Sequence, residues 1–459
     1  MPLAVQSVEN PTLFSRQWRG VTIGAVGLCS MIAFEAIGVA AGMPAVAVAL
    51  DGVPLYALAF ASTLAGSVVA MVWSGRDCDQ HGPLRSMTLG MALFAVGLLI
   101  AGLAGSMPSL VVGRIIQGLG TGALVVALYV ATARVLPSAL HPRRFALFSS
   151  AWVVPAVIGP AISGWIVERC GWRWLFLGIF VLLLPTAALI LPPLRGMKQN
   201  PMPVTSARGR LAWAMVAAAG SVVLSASAHF GRWAPLAVIT SLACVGLAAL
   251  RLLPAGTLRL ARGLPSVIAL RGLNAAAFFL CESFIPLWLN EQRGWSITVA
   301  GMALTGGALS WSLGSHLQSR LGEESRRQAW LSRGCLLLAG GIVVCGFAVL
   351  GVLPDWAMLL GWSMAGLGTG LSLPMLGVLT LKLAPAHQQG LYSSALQLCA
   401  SLCTSAALAL GGLVFSLLHA RLPAQAFESV FALAAAIAFL GWTRSTRTAP
   451  DNTLLAAAH

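Results

Sequence analysis

Apolar residues fill this chain in fourteen long stretches, separated by short polar or turn-forming segments. A helix needs about 20 mostly apolar residues to cross a bilayer, and each stretch approaches or exceeds that length. Six come first, at 21–46, 54–74, 87–105, 107–134, 145–167 and 173–192. A polar linker at 193–210 follows, in which Pro193, Pro201 and Pro203 lie among Arg195, Lys198, Arg208 and Arg210. Two runs at 211–230 and 234–253 lead to a basic link at 254–267. Six more close the pattern, at 268–289, 297–317, 330–351, 355–381, 391–417 and 425–443. The expected fold is an all-α polytopic membrane protein with fourteen transmembrane helices. Two pseudo-symmetric six-helix bundles, 21–192 and 268–443, flank two extra helices at 211–253, with an N-terminal segment at 1–20 and a tail at 444–459.

Composition agrees. Hydrophobic residues make up 58% of the 459 and charged residues only 9%, against about 45–50% and about 25% in soluble domains. That excludes a set of soluble domains and excludes disorder. A net charge of +15 would suggest a nucleic-acid partner in a soluble protein, but its placement argues for topology instead. With the N-terminus inside, 22 of the 28 Lys and Arg residues fall in inward segments. Arg169, Arg173, Arg232, Arg293 and Arg421 face outward, and Arg114 is the one left over, within a span. This asymmetry predicts an N-in, C-in protein of a bacterial inner membrane, with lipid around it and no nucleic acid bound. Trp172, Trp174, Trp233, Trp288, Trp295 and Trp356 mark the outer ends of spans. None of the nine cysteines forms a CxxC pair, and neither a disulfide nor a metal site is expected.

Acids inside a span cost about 2.5–3.5 kcal/mol on insertion scales. Of thirteen acids, only Glu35 and Glu282 lie at depth, each in the first helix of a six-helix group and each followed by a proline, Pro44 and Pro286. A low-dielectric cavity disfavours the charged form of a carboxyl. Such a group can carry a proton, pair with a cation, or do each in turn. Glu282 has an alternative reading, since Asn274 and Ser283 stand near enough to satisfy it locally. Arg114 needs a partner from another helix, either Glu35 or a backbone carbonyl of the first span. Gly118, Gly120 and Gly122 in one run, and Gly366, Gly368 and Gly370 in another, allow close helix approach. Gly-Leu-Gly-Thr-Gly at 118–122 is no nucleotide loop, because no strand precedes it and no Gly-Lys-Ser/Thr follows.

These residues carry a family likeness. The chain resembles the major facilitator superfamily, in particular its fourteen-span drug:proton antiporter branch. Between the second and third runs, GRDCDQHGPLR resembles the family's G-x-L-a-D-r-x-G-r-r loop at Gly75, Asp79, Gly82 and Arg85. Asp77, Gln80, Pro83 and Leu84 depart from it. Arg114, Gln117, Gly118 and Gly120 resemble the R-x-x-q-G-x-g motif of the fourth span. In the fifth span, Gly159, Pro160 and Gly164 match the antiporter motif g-x-x-x-G-P-x-x-G-G, while Pro155 and Ser163 replace two of its glycines.

The resemblance implies alternating access between two bundles and no enzymatic activity. Protons are the expected coupling ion, with no cofactor and no metal. Glu35, with Glu282 and Arg114, would handle the proton, and Glu35 should open onto a shared central vestibule. Phe34, Tyr129, Trp152, Phe278, Phe279 and Trp311 would line the cavity, with Gln117 and Gln397 as polar contacts. Asp79 could cap a helix or neutralise an arginine to hold the inner face closed. The expected cargo is an amphipathic, cationic small molecule exported by a monomer. A lipid exporter and a proton-coupled uptake permease are the alternatives on the same scaffold.

Overall fold

The computed structural model describes residues 13–15, 18–52, 55–195, 208–295, 297–320, 324–419 and 421–448. Every described element is helical. The first apolar run is broken into α1 (Arg19–Phe34), a π-helical turn (Glu35–Val39) and α2 (Ala40–Ala49). The remainder of the first group is α3 (Tyr56–His81), α4 (Pro83–Gly102), α5 (Met107–Val135), α6 (His141–Arg169) and α7 (Trp174–Arg195). The middle pair is α8 (Arg208–Ala226) and α9 (Ala234–Leu252). The last group is α10 (Leu264–Arg293), α11 (Ile297–Ser319), α12 (Glu324–Val349), α13 (Trp356–Leu383), α14 (Gln389–His419) and α15 (Pro423–Arg444). Eleven described helices are long and apolar enough to cross a membrane. The bent pair His141–Gly159 and Ile162–Arg169 makes a twelfth if it is one span. Helix α8 falls short, its apolar part being Gly209–Leu224.

The two groups pack alike. In the first, α5 sits between α3 and α4; in the last, α13 sits between α11 and α12. The same pentapeptide makes both joints. A Cβ on Gly118 or Gly122 would run into the carbonyls of Thr63 and Ser67 on α3, and one on Gly120 into the Phe94 backbone on α4. Gly366 and Gly370 stand in the same relation to the carbonyls of Gly307 and Trp311 on α11, and Gly368 to the Leu338 backbone on α12. Side chains are excluded there because backbones touch, the usual way to gain van der Waals contact where lipid offers no hydrophobic drive.

Helix α3 continues through Gly75–His81, a segment the sequence placed in a loop. Only Gly82 breaks it, at φ 77°. That conformation favours glycine, and Pro83 begins α4 at once, as proline does at a first helical turn. Helix α8 packs on α3, and α9 and α8 both reach α14. Val68, Ala217, Ala248, Ala395 and Leu396 share one buried cluster there, so the middle pair covers the seam between the groups on the α3/α14 side. The predicted linker at 193–210 and both terminal segments lie largely outside the described residues.

Candidate functional site

The π-helical turn decides where Glu35 points. One extra residue in a turn rotates everything before it relative to everything after. Glu35 ends up 3% exposed, inside the first group and not on an open vestibule as the sequence suggested. Its carboxylate accepts an ion-paired hydrogen bond from the Arg114 guanidinium. Arg114, 4% exposed, also donates to Gln117 Oε1 at 3.0 Å and to the Ala59 carbonyl at 3.3 Å. One guanidinium thus ties the first span to α5 and α3. Two charges can share a low-dielectric interior only when so paired and hydrogen-bonded.

The predicted cavity residues separate. Gln117 is fully buried beside Arg114, and Phe278, 2% exposed, is sealed in aromatic contacts. It stacks on Trp362 at 4.5 Å and meets Trp311 edge-on at 5.1 Å. These two are packing within their own groups, because a planar ring or an amide that fills a helix joint leaves no free face. Tyr129 packs against Phe145 at 4.8 Å. Trp152 is 41% exposed. Phe34, Phe279 and Trp311 are half-buried, and the Trp311 Nε1 donor has no partner among the described residues. Two of the predicted belt tryptophans, Trp172 and Trp288, are buried, whereas Trp174, Trp233 and Trp356 are exposed.

Glu282 has the opposite environment to Glu35. It is half-buried on α10. The neighbours expected to satisfy it turn elsewhere: Asn274 donates to Ser372 Oγ at 3.2 Å and to Cys335 Sγ at 3.3 Å, and Ser283 donates to the Phe279 carbonyl at 2.8 Å. Among the described residues Glu282 therefore has neither an ion-pair nor a hydrogen-bond partner.

The groups meet at the end from which the chain enters α1. Asp79 accepts hydrogen bonds from the Gly390 and Leu391 amides at 2.6 and 2.8 Å. A carboxylate of the first group thereby caps the N-terminus of α14 in the last, where unpaired amides and the helix dipole favour an anion. Gly75 lies so close to Gly390 and Ser394 that a Cβ would overlap them, and Ser394 Oγ donates to the Met71 carbonyl at 2.7 Å. On the other side, Ser150 Oγ of α6 lies 3.3 Å from Ser312 Oγ and 3.4 Å from His316 Nδ1 of α11. This end is closed. Next to Asp79, Asp77 binds Ser86 Oγ at 2.8 Å, His81 at 3.0 Å and Arg85 at 3.4 Å. Asp77, His81 and Arg85 line a depression of about 200 Å³ with Trp73 and Arg76.

Two motif glycines of α6 do not mark close joints. Gly159 reaches Phe34 and Gly38 only at ordinary contact, and nothing lies within 4 Å of a Cβ on Gly164. Ser163, which replaces a motif glycine, instead faces Gly38 in the π-helical turn. The side chain of Pro160 lies outside the described ones. Arg144, counted with the inner-face charge, is 1% exposed and ties α6 to α1 through Thr22 Oγ1 at 3.0 Å and the Val21 carbonyl at 3.2 Å. Sequence reasoning also missed Arg271. It lies within α10 and reaches Gln397 Oε1 and the Leu373 carbonyl at 3.5 Å.

Two helical groups joined at one end, with charges on helices long and apolar enough to cross a membrane, define a polytopic membrane protein. The chain belongs to the Major Facilitator Superfamily, whose sequence profile matches residues 23–212 and 267–457. An uncharacterized MFS-type transporter of Mycobacterium tuberculosis is 24% identical over 416 residues, covering 84% of this chain and 57% of that protein. This chain thus spans little more than half the length of that relative. A probable multidrug-efflux transporter of the same organism is 34% identical over 172 residues, 38% of this chain and 36% of its own length. Among solved structures, the human organic anion transporter MFSD10 superposes with a TM-score of 0.71 at 14% identity, covering 93% of this chain and 99% of that one. A proton:xylose symporter gives 0.64 at 16% identity, covering 93% and 95%. At such identities these superpositions establish the fold.

Proposed function

We propose that the protein is a fourteen-span, proton-coupled exporter of amphipathic, mainly cationic small molecules, working as a monomer in a plasma membrane with both termini cytoplasmic. Glu282 carries this reading. A half-buried carboxyl without a protein partner among the described residues holds either a proton or a cationic cargo, and one site cannot hold both. A proton arriving from outside displaces the cargo outward; cargo arriving from inside displaces the proton inward. The inward pH gradient drives the cycle, because exchanging one proton for one monovalent cation moves no net charge, and each pH unit supplies about 1.4 kcal/mol.

Glu35 and Arg114 form the second element. When Glu35 takes a proton, Arg114 keeps Gln117 and the Ala59 carbonyl but loses its ionic hold on the first span. That span is then free to shift against α5 and α3, which is how protonation reaches helix packing. The closed end held by Asp79 corresponds to one limit of alternating access. Support for export comes from the Gly159, Pro160 and Gly164 motif and from relatives bearing efflux names, among them a multidrug efflux pump of Staphylococcus aureus that is 25% identical over 154 residues.

Ethidium accumulation in inside-out vesicles under an imposed pH step tests the scheme. Glu282→Gln should slow pH-driven accumulation at least tenfold while Glu282→Asp keeps most of it. Normal rates in the glutamine variant would remove Glu282 from the coupling step.

A further inference from the structure

The residues of α10 that are not buried include two charged ones on nearly one azimuth. Between residues 266 and 290 the only ones not buried are Arg271, Leu273, Phe279, Glu282, Ser283, Pro286, Leu287 and Asn290. At 3.6 residues per turn, all but Leu273 fall on one arc of about 160°. Arg271 and Glu282 are eleven residues apart, about three turns, so they share an azimuth to within about 20° and stand about 16 Å apart along the axis. An arc with a guanidinium and a carboxylate does not face hydrocarbon.

Neighbouring contacts place it. Phe278 and Phe279 meet Trp311 of α11. Gly272, on the same arc, abuts Cys399 and Cys403 of α14, and Arg271 reaches Gln397 of α14. Helices α11 and α14 are those that pack against α6 and α3 of the first group. Phe279 and Arg271 thus stand beside the two helices of the last group that pack against the first.

Arg271 is under-satisfied there. Its two hydrogen bonds, to a backbone carbonyl and a side-chain amide, are both at the 3.5 Å limit. Its Nε is buried without a partner among the described residues. No carboxylate among them pairs with it. Arg114, in the first group, has its carboxylate. A guanidinium fork held open in this way suits a planar carboxylate.

We infer that Arg271 receives an acidic substituent of the cargo, so that α10 reads an amphoteric aromatic molecule with its cationic group at Glu282, its rings on Phe279 and its carboxylate at Arg271. This rests on the cation-exporting role of Glu282 proposed above and narrows the cargo class. Cargo that carries both charges leaves neither side chain unpaired during transit.

Rhodamine 110 and rhodamine 123 make a matched pair, a zwitterionic free acid and its cationic methyl ester. Their affinities for the full chain in lipid nanodiscs can be read by fluorescence anisotropy. In the wild type the free acid should bind at least as tightly as the ester. Arg271→Gln should lower the ratio of free-acid to ester affinity about tenfold, Arg271→Lys should restore most of it, and Glu282→Gln should weaken both dyes. Gln397→Glu places an anion beside an intact Arg271 and should lower the same ratio, which keeps the idea testable if Arg271→Gln fails to fold. An unchanged ratio in the Arg271 and Gln397 variants, or a wild type that binds the ester and rejects the free acid, overturns the anion subsite alone. A wild type that binds neither dye overturns this inference together with the proposed cargo class.

Discussion

The first and last helical groups share a scaffold and differ in where they keep charge. Around Gly118 and Gly366 the backbone joints are equivalent. Four residues before the pentapeptide, however, the first group has Arg114 and the last has Trp362. Arg114 pairs with Glu35 inside its group, whereas Trp362 stacks on Phe278. One joint between the lead helix and the central helix is ionic, its counterpart aromatic. In the last group the charges move to the accessible arc of α10, as Arg271 and Glu282. Pseudo-symmetry constrains backbone approach, while side-chain chemistry is free to diverge. On the reading proposed above, the buried pair responds to a proton and α10 to a cargo.

The largest effect is expected from breaking the ionic joint. Arg114→Met leaves the Glu35 charge buried and unpaired, at about 3–5 kcal/mol. Purified variants should show a clearly lower thermal midpoint and poor yield. Converting both partners, Arg114→Met with Glu35→Leu, should recover most of that stability, because a well-packed apolar pair of similar volume often equals a buried ion pair. The Trp362–Phe278 joint already has that form. A single Arg114 variant as stable as the wild type would mean the pair holds nothing together.

Next come the glycine joints. Gly118→Val and Gly366→Val both drive a side chain into a facing carbonyl, and overpacking of this kind costs about 1–3 kcal/mol. The two losses should be similar if the joints are equivalent. Gly164→Ala on α6, where no atom lies within 4 Å, should be neutral or slightly stabilising, since alanine is the better helix former. Thermal unfolding of the three variants sorts them, and a large loss at Gly164 would restore a packing role to that motif position.

Much of this was legible in the sequence, but not all at one level. Each predicted run carries a helix, because long apolar segments have few other ways to satisfy their backbone in lipid. The Glu35–Arg114 pair could be anticipated, since two lone charges in apolar runs of one group need one another. What failed was azimuth. In a helix that is apolar all round no moment marks its inner face, so the π-helical turn that buries Glu35 left no trace and Phe278 passed for a cavity wall. Arg271 was hidden by a competing rule: a basic residue near a span end reads as an inner-face charge. Only its unmet hydrogen bonds and its place on the arc of Glu282 distinguish it. Asp79 was legible as a cap, but its helix belongs to the other group, more than 300 residues away, a distance no local pattern spans.

That cap supplies the smallest of the expected losses. Asp79 is the one carboxylate among the described residues whose hydrogen bonds cross between the two groups, so it favours the closed end without adding to either group alone. Asp79→Asn keeps only one of the two acceptor oxygens and removes the charge that the α14 N-terminus favours, a loss of about 1 kcal/mol. A change that small barely moves a thermal midpoint. It should shift the balance between closed and open ends about fivefold. Cysteines placed at Trp73 and Leu391 would report it, with thiol labelling from the α1-entry side rising by that factor in the asparagine variant. Equal labelling with and without the charge would show that the Gly75–Gly390 approach, and not the carboxylate, keeps this end shut.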